Sequence, residues 1–309
     1  MSNLESAKNI RDGYIWTRQT CPICGNGPDK LVGKRGGGSH REGLGVECEI
    51  WRCSTCDLRF PDPMPFPEGG LGQHYNIDAD DYFKEHDVDD RMSGARDMVG
   101  NAERILGTKG RLLDVGIGRG ELLTAAAEAG WYCEGIEPSA TFAEYVSKKT
   151  GTKIWQQSIE DTNLDPSSFD VVILAAVLEH LYDPDVVLSK ISDVLRPGGL
   201  LYIDVPNEAG LYFKIGNAYQ TLLGRDWCVN LAPTFSPFHV FGFSPKSLRK
   251  ILHKHGLKPK EWRVYGGTSV LPNRGGMVGS LEHFVSKAVT TLSNVGEMGT
   301  YIETWAVKS

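Results

Sequence analysis

The chain has 309 residues, 40% hydrophobic and 23% charged, the composition of an ordinary globular protein with room for one large domain and a small appendage. No apolar run approaches the roughly 20 residues of a membrane-spanning helix, and Met1 to Lys8 lacks the apolar core of a signal peptide, so a cytoplasmic protein is expected. A net charge of −6 and a pI near 5.8 argue against the phosphates of nucleic acids as the main partner.

Residues 1–66 read as a zinc ribbon. Of the seven cysteines, four are paired by spacing, Cys21-Pro-Ile-Cys24 and Cys53-Ser-Thr-Cys56, with 28 residues between the pairs. Two C-x-x-C turns at that distance suit a tetrahedral set of four thiolates around a structural Zn²⁺, closed to substrate. A redox C-x-x-C is the rival reading. Cys48, Cys133 and Cys228 have no such partners and are expected to be ordinary small or buried residues. Val46 to Arg52 and Leu58 to Phe60 suggest short strands, and Lys34 to Ser39 (K-R-G-G-G-S) a flexible loop. Pro61, Pro63, Pro65 and Pro67 are expected to interrupt any regular element and mark the way out of the ribbon. Residues 67–107 follow as a linker and an N-terminal helical lid. Tyr82, in D-A-D-D-Y-F, is a candidate to cover the site, and Arg91 to Leu106 has helical spacing.

From residue 108 to 309 strands and helices alternate. Leu112, Leu113 and Val115 form a buried strand, Gly116, Gly118 and Gly120 break it in one turn, and Glu121 opens a helix that stops at Gly130. Such a turn brings backbone close to a ligand at a helix N-terminus and makes a cofactor cradle, with Asp114 just before it. The spacing is G-x-G-x-G, unlike the G-x-G-x-x-G of dinucleotide sites. The next strand, Trp131 to Ile136, closes on Glu137-Pro138-Ser139, where a carboxylate can accept both ribose hydroxyls of an adenosine cofactor.

Ser139 caps the following helix, which Gly151 ends. Thr152 to Trp155 and Phe169 to Ala175 are strands, Asp183-Pro184 starts a helix that stops at Arg196-Pro197-Gly198-Gly199, and Leu200 to Val205 is buried again. This rhythm predicts an α/β fold: a doubly wound, mostly parallel Rossmann-like sheet. It breaks over about 207–243, a substrate-side insertion with an amphipathic stretch (Glu208 to Leu223) and an aromatic one (Trp227 to Phe243). Ser244-Pro245 opens a helix ended by Gly256. A strand at Leu257 to Tyr265, a helix around Met277 to Leu292 and a strand at Tyr301 to Val307 complete the chain.

The ordered set L-L-D-V-G-I-G-R-G (112–120), G-I-E-P-S (135–139), F-D-V-V-I-L-A-A-V-L-E-H-L-Y-D-P (169–184) and L-R-P-G-G-L-L-Y-I-D-V-P (195–206) resembles the class I S-adenosylmethionine-dependent methyltransferases over roughly residues 75–309. The resemblance implies that Gly116, Gly118 and Gly120 carry the methionine part and Glu137 the ribose. It places the adenine against Gln157, Ser158, Ile159 and Glu160, with Ala175 and Ala176 beneath the cofactor. With the cysteine module the chain is similar to the zinc-ribbon methyltransferases of sugar and natural-product pathways. Some of these methylate a carbon of a nucleotide-linked deoxysugar and carry a H-E-H-like run near the insertion. Here that stretch, Ser236 to Phe243, has a single histidine preceded by Phe238, which moves the expectation to oxygen methylation of a sugar, nucleotide sugar or other hydroxylated intermediate.

His239, the one titratable group in the aromatic insertion, is the candidate base, with an ordinary pKa near 6.5. His180 is the competitor, a position the family uses to support the cofactor turn. No His/Asp/Glu set outside the ribbon has ligand spacing in sequence, so no catalytic metal is expected. Two other readings stand beside this one. The first is an RNA base methyltransferase using the ribbon, weakened by only nine Lys/Arg against seven Asp/Glu in residues 1–60. The second is a non-catalytic cofactor-binding scaffold.

Overall fold

The computed structural model describes residues 9–70, 88–266, 275–276 and 296–309, with isolated positions 280, 283, 284, 287, 291 and 293. Tyr82 and most of the helix expected around Met277 to Leu292 lie outside the described residues. Two small antiparallel sheets precede the main one. Strands β1 (Asn9–Arg11), β2 (Tyr14–Thr17) and β6 (Met64–Pro67) form the first, and β3 (Lys30–Arg35), β4 (Cys48–Arg52) and β5 (Arg59–Pro61) the second.

The prolines do not exclude regular structure, contrary to expectation. Pro61 ends β5, while Pro65 and Pro67 lie opposite Trp16 and Tyr14 in β6. β6 is an edge strand of its sheet, where a missing N–H costs no ladder bond. The Lys34 to Ser39 stretch is also not a free loop. Lys34 and Arg35 belong to β3, and Lys34 pairs with the insertion, its N–H donating to Asp226 O and its O accepting from Cys228 N.

The main sheet has seven strands in the order β12-β13-β11-β10-β7-β8-β9. Its strands are β7 (Arg111–Val115), β8 (Tyr132–Ile136), β9 (Lys153–Trp155), β10 (Phe169–Ala175), β11 (Leu195–Pro206), β12 (Leu257–Tyr265) and β13 (Tyr301–Lys308). β7 to β11 are mutually parallel where they pair, and β13 runs antiparallel to both β11 and β12. Successive side chains of a strand point to opposite faces. Leu112, Val171, Ile173 and Leu200 therefore enter one core with Trp305 and the helix α1 (Val88–Leu106). Leu113, Val172, Leu174 and Leu201 enter the other, with α4 (Pro184–Val194) and α6 (Pro245–Lys254). Both faces are covered, as continuous apolar strands require.

The helix starts are local chemistry. Ser139 Oγ accepts from Phe142 N at α3 (Ala140–Thr150), Asp183 caps α4 ahead of Pro184, and Ser244 and Ser247 form a reciprocal capping box on α6. One expectation fails at Arg196 to Gly199. Strand β11 begins at Leu195, directly after α4, and bends through Gly198 with Phe169 already paired to Leu195. Among the described residues, no helix is long and apolar enough to cross a membrane.

The cysteine module is not a bead on a string. Cys21, Cys53, Cys56, Leu58, Phe60 and Met64 share one hydrophobic cluster with the sheet and with Val240, Phe241, Leu248 and Ile251. Phe60 is fully buried, its ring centroid 5.6 Å from that of Phe241. Arg59 and Gly242 exchange two backbone hydrogen bonds of 3.0 and 2.8 Å. Removing a buried phenylalanine costs about 3–5 kcal/mol. Phe60→Ala should thus lower the melting temperature of the whole chain in one transition by calorimetry; two separate transitions would show that ribbon and domain do not share a core.

Candidate active site

A cavity of about 1120 Å³ opens beyond the carboxyl ends of β7, β8 and β10. The glycine turn forms its floor. Gly116 has φ 75°, and a Cβ there would lie 2.7 Å from Val177 Cγ2. Gly120, φ 79°, is the N-cap of α2 (Glu121–Glu128) and offers no side-chain cap, so first-turn N–H groups stay available to a ligand. A Cβ on Gly120 would meet Val146 at 2.6 Å. Gly120 does not line the cavity; it lets α2 start against α3. Asp114, Gly116, Gly118, Glu137, Pro138, Ser158, Ile159, Ala175 and Ala176 all line it, together with His180 and His239.

The side of the cavity next to the glycine turn is acidic. Glu137 is 7% exposed, and its Oε1 accepts from Ser139 N at 2.9 Å. Burial pushes Glu137 up to about 7. Asp114 is held well above the usual carboxylate range, first by burial and then by Glu137 and Glu121. Ser158 is engaged locally, its hydroxyl 3.0 Å from Asp161 Oδ2 and accepting from Asp161 N. Asp161, Glu121, Asp204 and, from α1, Arg91 and Met98 also line the cavity, and no local pattern in the chain marks them. Tyr182 lines it too, with its hydroxyl donating to Pro65 O at 3.0 Å and its ring 4.8 Å from that of Phe66.

At the other end His239 is not alone. Its ring lies 4.8 Å from that of His180, nearly perpendicular to it. The Glu179 Oε1 lies 3.9 Å from His239 Nε2 and 4.0 Å from His180 Nε2. The ligand atoms of Glu179, His180 and His239 all lie within 4.8 Å of one another, as do those of Cys21, Cys24, Cys53 and Cys56. Sequence spacing hid the first set, because 59 residues separate His180 from His239 and only the folded insertion closes the gap. The acid expected beside His239 and replaced there by Phe238 is supplied in space by Glu179.

The backbone fixes this arrangement. Val240 N and Phe241 N donate to Glu179 O at 2.9 and 3.1 Å, and Ala232 N donates to His239 O at 3.2 Å. The His180 imidazole is held by the backbone of Phe238 and Pro237; proline has no N–H, so its carbonyl is the acceptor. Burial disfavours charge on all three side chains. His180 is pushed down to about 4, His239 down to about 3 by burial and then by His180, and Glu179 up to about 8 by burial with Asp204 adding to it. The expectation of a histidine titrating near 6.5 is thus corrected: both rings are neutral at pH 7, and an imidazole so far below the working pH is a weak proton acceptor.

Residues 86–261 match the family described as "Methyltransferase domain". The Ubiquinone biosynthesis O-methyltransferase of Idiomarina loihiensis is 31% identical over 49% of this chain and 57% of that protein. The Ubiquinone biosynthesis O-methyltransferase of Colwellia psychrerythraea is 29% identical over 48% of this chain and 61% of that protein. The chain thus spans about six-tenths of the length of these curated relatives. A solved S-adenosylmethionine-dependent methyltransferase from Archaeoglobus fulgidus aligns at 18% identity and a TM-score of 0.49, covering 70% of this chain and 94% of that one. With its family match, its parallel sheet and its glycine turn, the chain belongs to the methyltransferase-domain family and to the class I S-adenosylmethionine-dependent methyltransferases.

Proposed function

We propose that the protein transfers a methyl group from S-adenosylmethionine to a hydroxyl oxygen of a small molecule. The observation that carries this reading is that the glycine turn, Glu137 and the pair His180 and His239 line one cavity. When bound, the cofactor supplies an already activated sulfonium methyl group. The chain's own residues supply place and charge. Glu137 accepts the ribose hydroxyls, and the buried acids Asp114 and Glu137 suit a ligand that carries positive charge. The Glu179, His180 and His239 cluster forms the polar end at which the acceptor hydroxyl is oriented and loses its proton. Orientation in line with the methyl group contributes roughly 7–11 kcal/mol in favourable intramolecular cases.

A sugar, nucleotide sugar or related natural-product intermediate is the acceptor class we favour, on the resemblance of a cysteine ribbon joined to this fold. The relatives, ubiquinone biosynthesis O-methyltransferases, favour a second reading, an intermediate of quinone biosynthesis. An RNA acceptor fits less well, because buried acids line the cavity and repel a phosphate chain. Labelled cofactor tested against nucleotide sugars, phenols, glycans and RNA separates these; transfer to RNA alone would overturn the small-molecule reading.

The four ribbon cysteines fit structural zinc. Cys24 Sγ and Cys53 Sγ lie 3.6 Å apart, close to the ~3.8 Å edge of a tetrahedron with bonds of about 2.3 Å. Burial raises the Cys21 and Cys56 thiols, the latter to about 11, so a cation is needed to hold the set as thiolates. Four thiols used as one ligand set also suit the reducing cytoplasm, where we place the protein.

Three outcomes are expected. In the cofactor-free protein Glu137 keeps its proton from the ordinary 4.5 up to about 7, so accepting ribose hydroxyls requires its release below that point. Cofactor affinity by calorimetry should fall up to about tenfold per pH unit below about 7. Glu137→Gln should flatten this slope and weaken binding at pH 8 by roughly 1.5–3 kcal/mol, about tenfold or more; an unchanged slope would remove Glu137 from the ribose site. Metal analysis of the native protein should find zinc in the ribbon, and Cys21→Ser with Cys24→Ser should release it and lower the melting temperature of the whole chain. His239→Ala should lower kcat at least about tenfold, through lost orientation of the acceptor, with cofactor affinity nearly unchanged. If His180→Ala alone abolishes turnover with the cofactor still bound, the two histidines exchange roles.

A further inference from the structure

The cluster at the acceptor end has a property that hydrogen bonding leaves unexplained. Glu179 is 2% exposed, yet its Oε2 has no hydrogen-bond partner and its Oε1 stands 3.9 and 4.0 Å from two imidazole nitrogens, too far to hydrogen-bond either. A buried carboxylate left in that state is costly. Nearby, Asp204 Oδ1 is a second buried oxygen without a partner, and Asp204 lines the same cavity. No lysine or arginine forms an ion pair with Glu179 or Asp204 among the described residues. The spacing suits a different occupant. Metal–nitrogen and metal–oxygen bonds of about 2.0–2.2 Å hold tetrahedral ligands of one ion about 3.4 Å apart. The two measured distances stand about half an ångström beyond that and the third pair lies within 4.8 Å, so the three side chains converge on one point and a small rotamer adjustment brings them to bonding distance. The His180 ring is held by the Pro237 and Phe238 backbone, and backbone support of this kind orients ligating histidines.

We propose that Glu179, His180 and His239 bind one divalent cation at the acceptor end of the cavity. Two histidines and one carboxylate with the cavity side open suit Mn²⁺, Fe²⁺ or Zn²⁺ and differ from the closed thiolate set of the ribbon. The proposal rests on the reading of this cavity as a methyl-transfer site and says how the hydroxyl is activated there. A cation beside the acceptor oxygen acts as a Lewis acid and lowers the pKa of the hydroxyl. The hydroxyl proton leaves to solvent. The oxygen then bonds to the methyl carbon as the carbon–sulfur bond breaks, and that electron pair returns to sulfur, giving an ether and S-adenosylhomocysteine.

The test is a titration of the full-length, zinc-loaded protein with Mn²⁺, followed by electron paramagnetic resonance, and with Fe²⁺ under anaerobic conditions. One ion per chain should bind beyond the ribbon. Glu179→Gln, His180→Gln and His239→Gln should each weaken it at least tenfold while calorimetry still finds S-adenosylmethionine bound. Methyl transfer by the ion-loaded wild type should exceed that of the zinc-ribbon-only form at least tenfold. A variant that no longer binds the cofactor is set aside, and the wild-type titration and the other two variants decide. Absence of binding of either ion at 1 mM, or equal binding by the variants, would overturn the site. Methyl transfer as fast with no cation bound as with the ion loaded would overturn the ion's part in activating the hydroxyl and leave the methyl-transfer reading standing. Ion binding lost in the variants, without any cofactor binding, would support the site and refute that reading alone.

Discussion

The acceptor end of the cavity depends on one carbonyl oxygen. Glu179 O takes the N–H groups of both Val240 and Phe241, while one residue further on Gly242 pairs with Arg59 of the ribbon. Each such bond adds only about 0.5–1.5 kcal/mol net, but an orphaned buried partner costs about 1–3 kcal/mol, so the register is far better fixed than the bonds alone suggest. A slip of one residue would turn His239 away from His180. The end of β10, the insertion and the ribbon therefore form one mechanical unit, and His180 and His239 are brought together by backbone.

Charge completes what the backbone begins. Asp114 and Glu137 are buried and Asp204 half-buried in the wall of one cavity, with the buried Glu179 beside His180, and burial raises every one of them. A protein gains nothing in stability from such a set, since each acid must either keep a proton or sit as an unpaired anion. The arrangement makes sense for a chamber whose normal contents are positively charged. The ribbon repeats the pattern with sulfur in place of oxygen: four thiols converge, and burial raises those of Cys21 and Cys56.

Features written in adjacent residues were legible in the sequence. The turn at Gly116 to Gly120, the Ser139, Asp183-Pro184 and Ser244-Pro245 helix starts, and Glu137 at its strand end are each decided within four or five residues. Pro65 and Pro67 misled because edge position, a property of the sheet, decides whether a proline is tolerated. Arg196 to Gly199 misled because β10 captures Leu195 before the glycines can act as a stop. The Glu179, His180 and His239 cluster was the hardest to see. Glu179 and His180 stand in a plain E-H run, and nothing near residue 239 says that a loop will bring it back to them. Asp204 and Arg91 reach the cavity for the same reason, through sheet order and helix placement.

The pairing of Phe60 with Phe241 has a consequence for how the molecule is made. About 180 residues of chain lie between the two rings. At a synthesis rate of roughly 5–20 residues per second, Leu58 and Phe60 wait on the order of ten seconds for their partners to leave the ribosome. Over that interval the cysteine turns must hold the apolar face of the ribbon together without the core that later covers it.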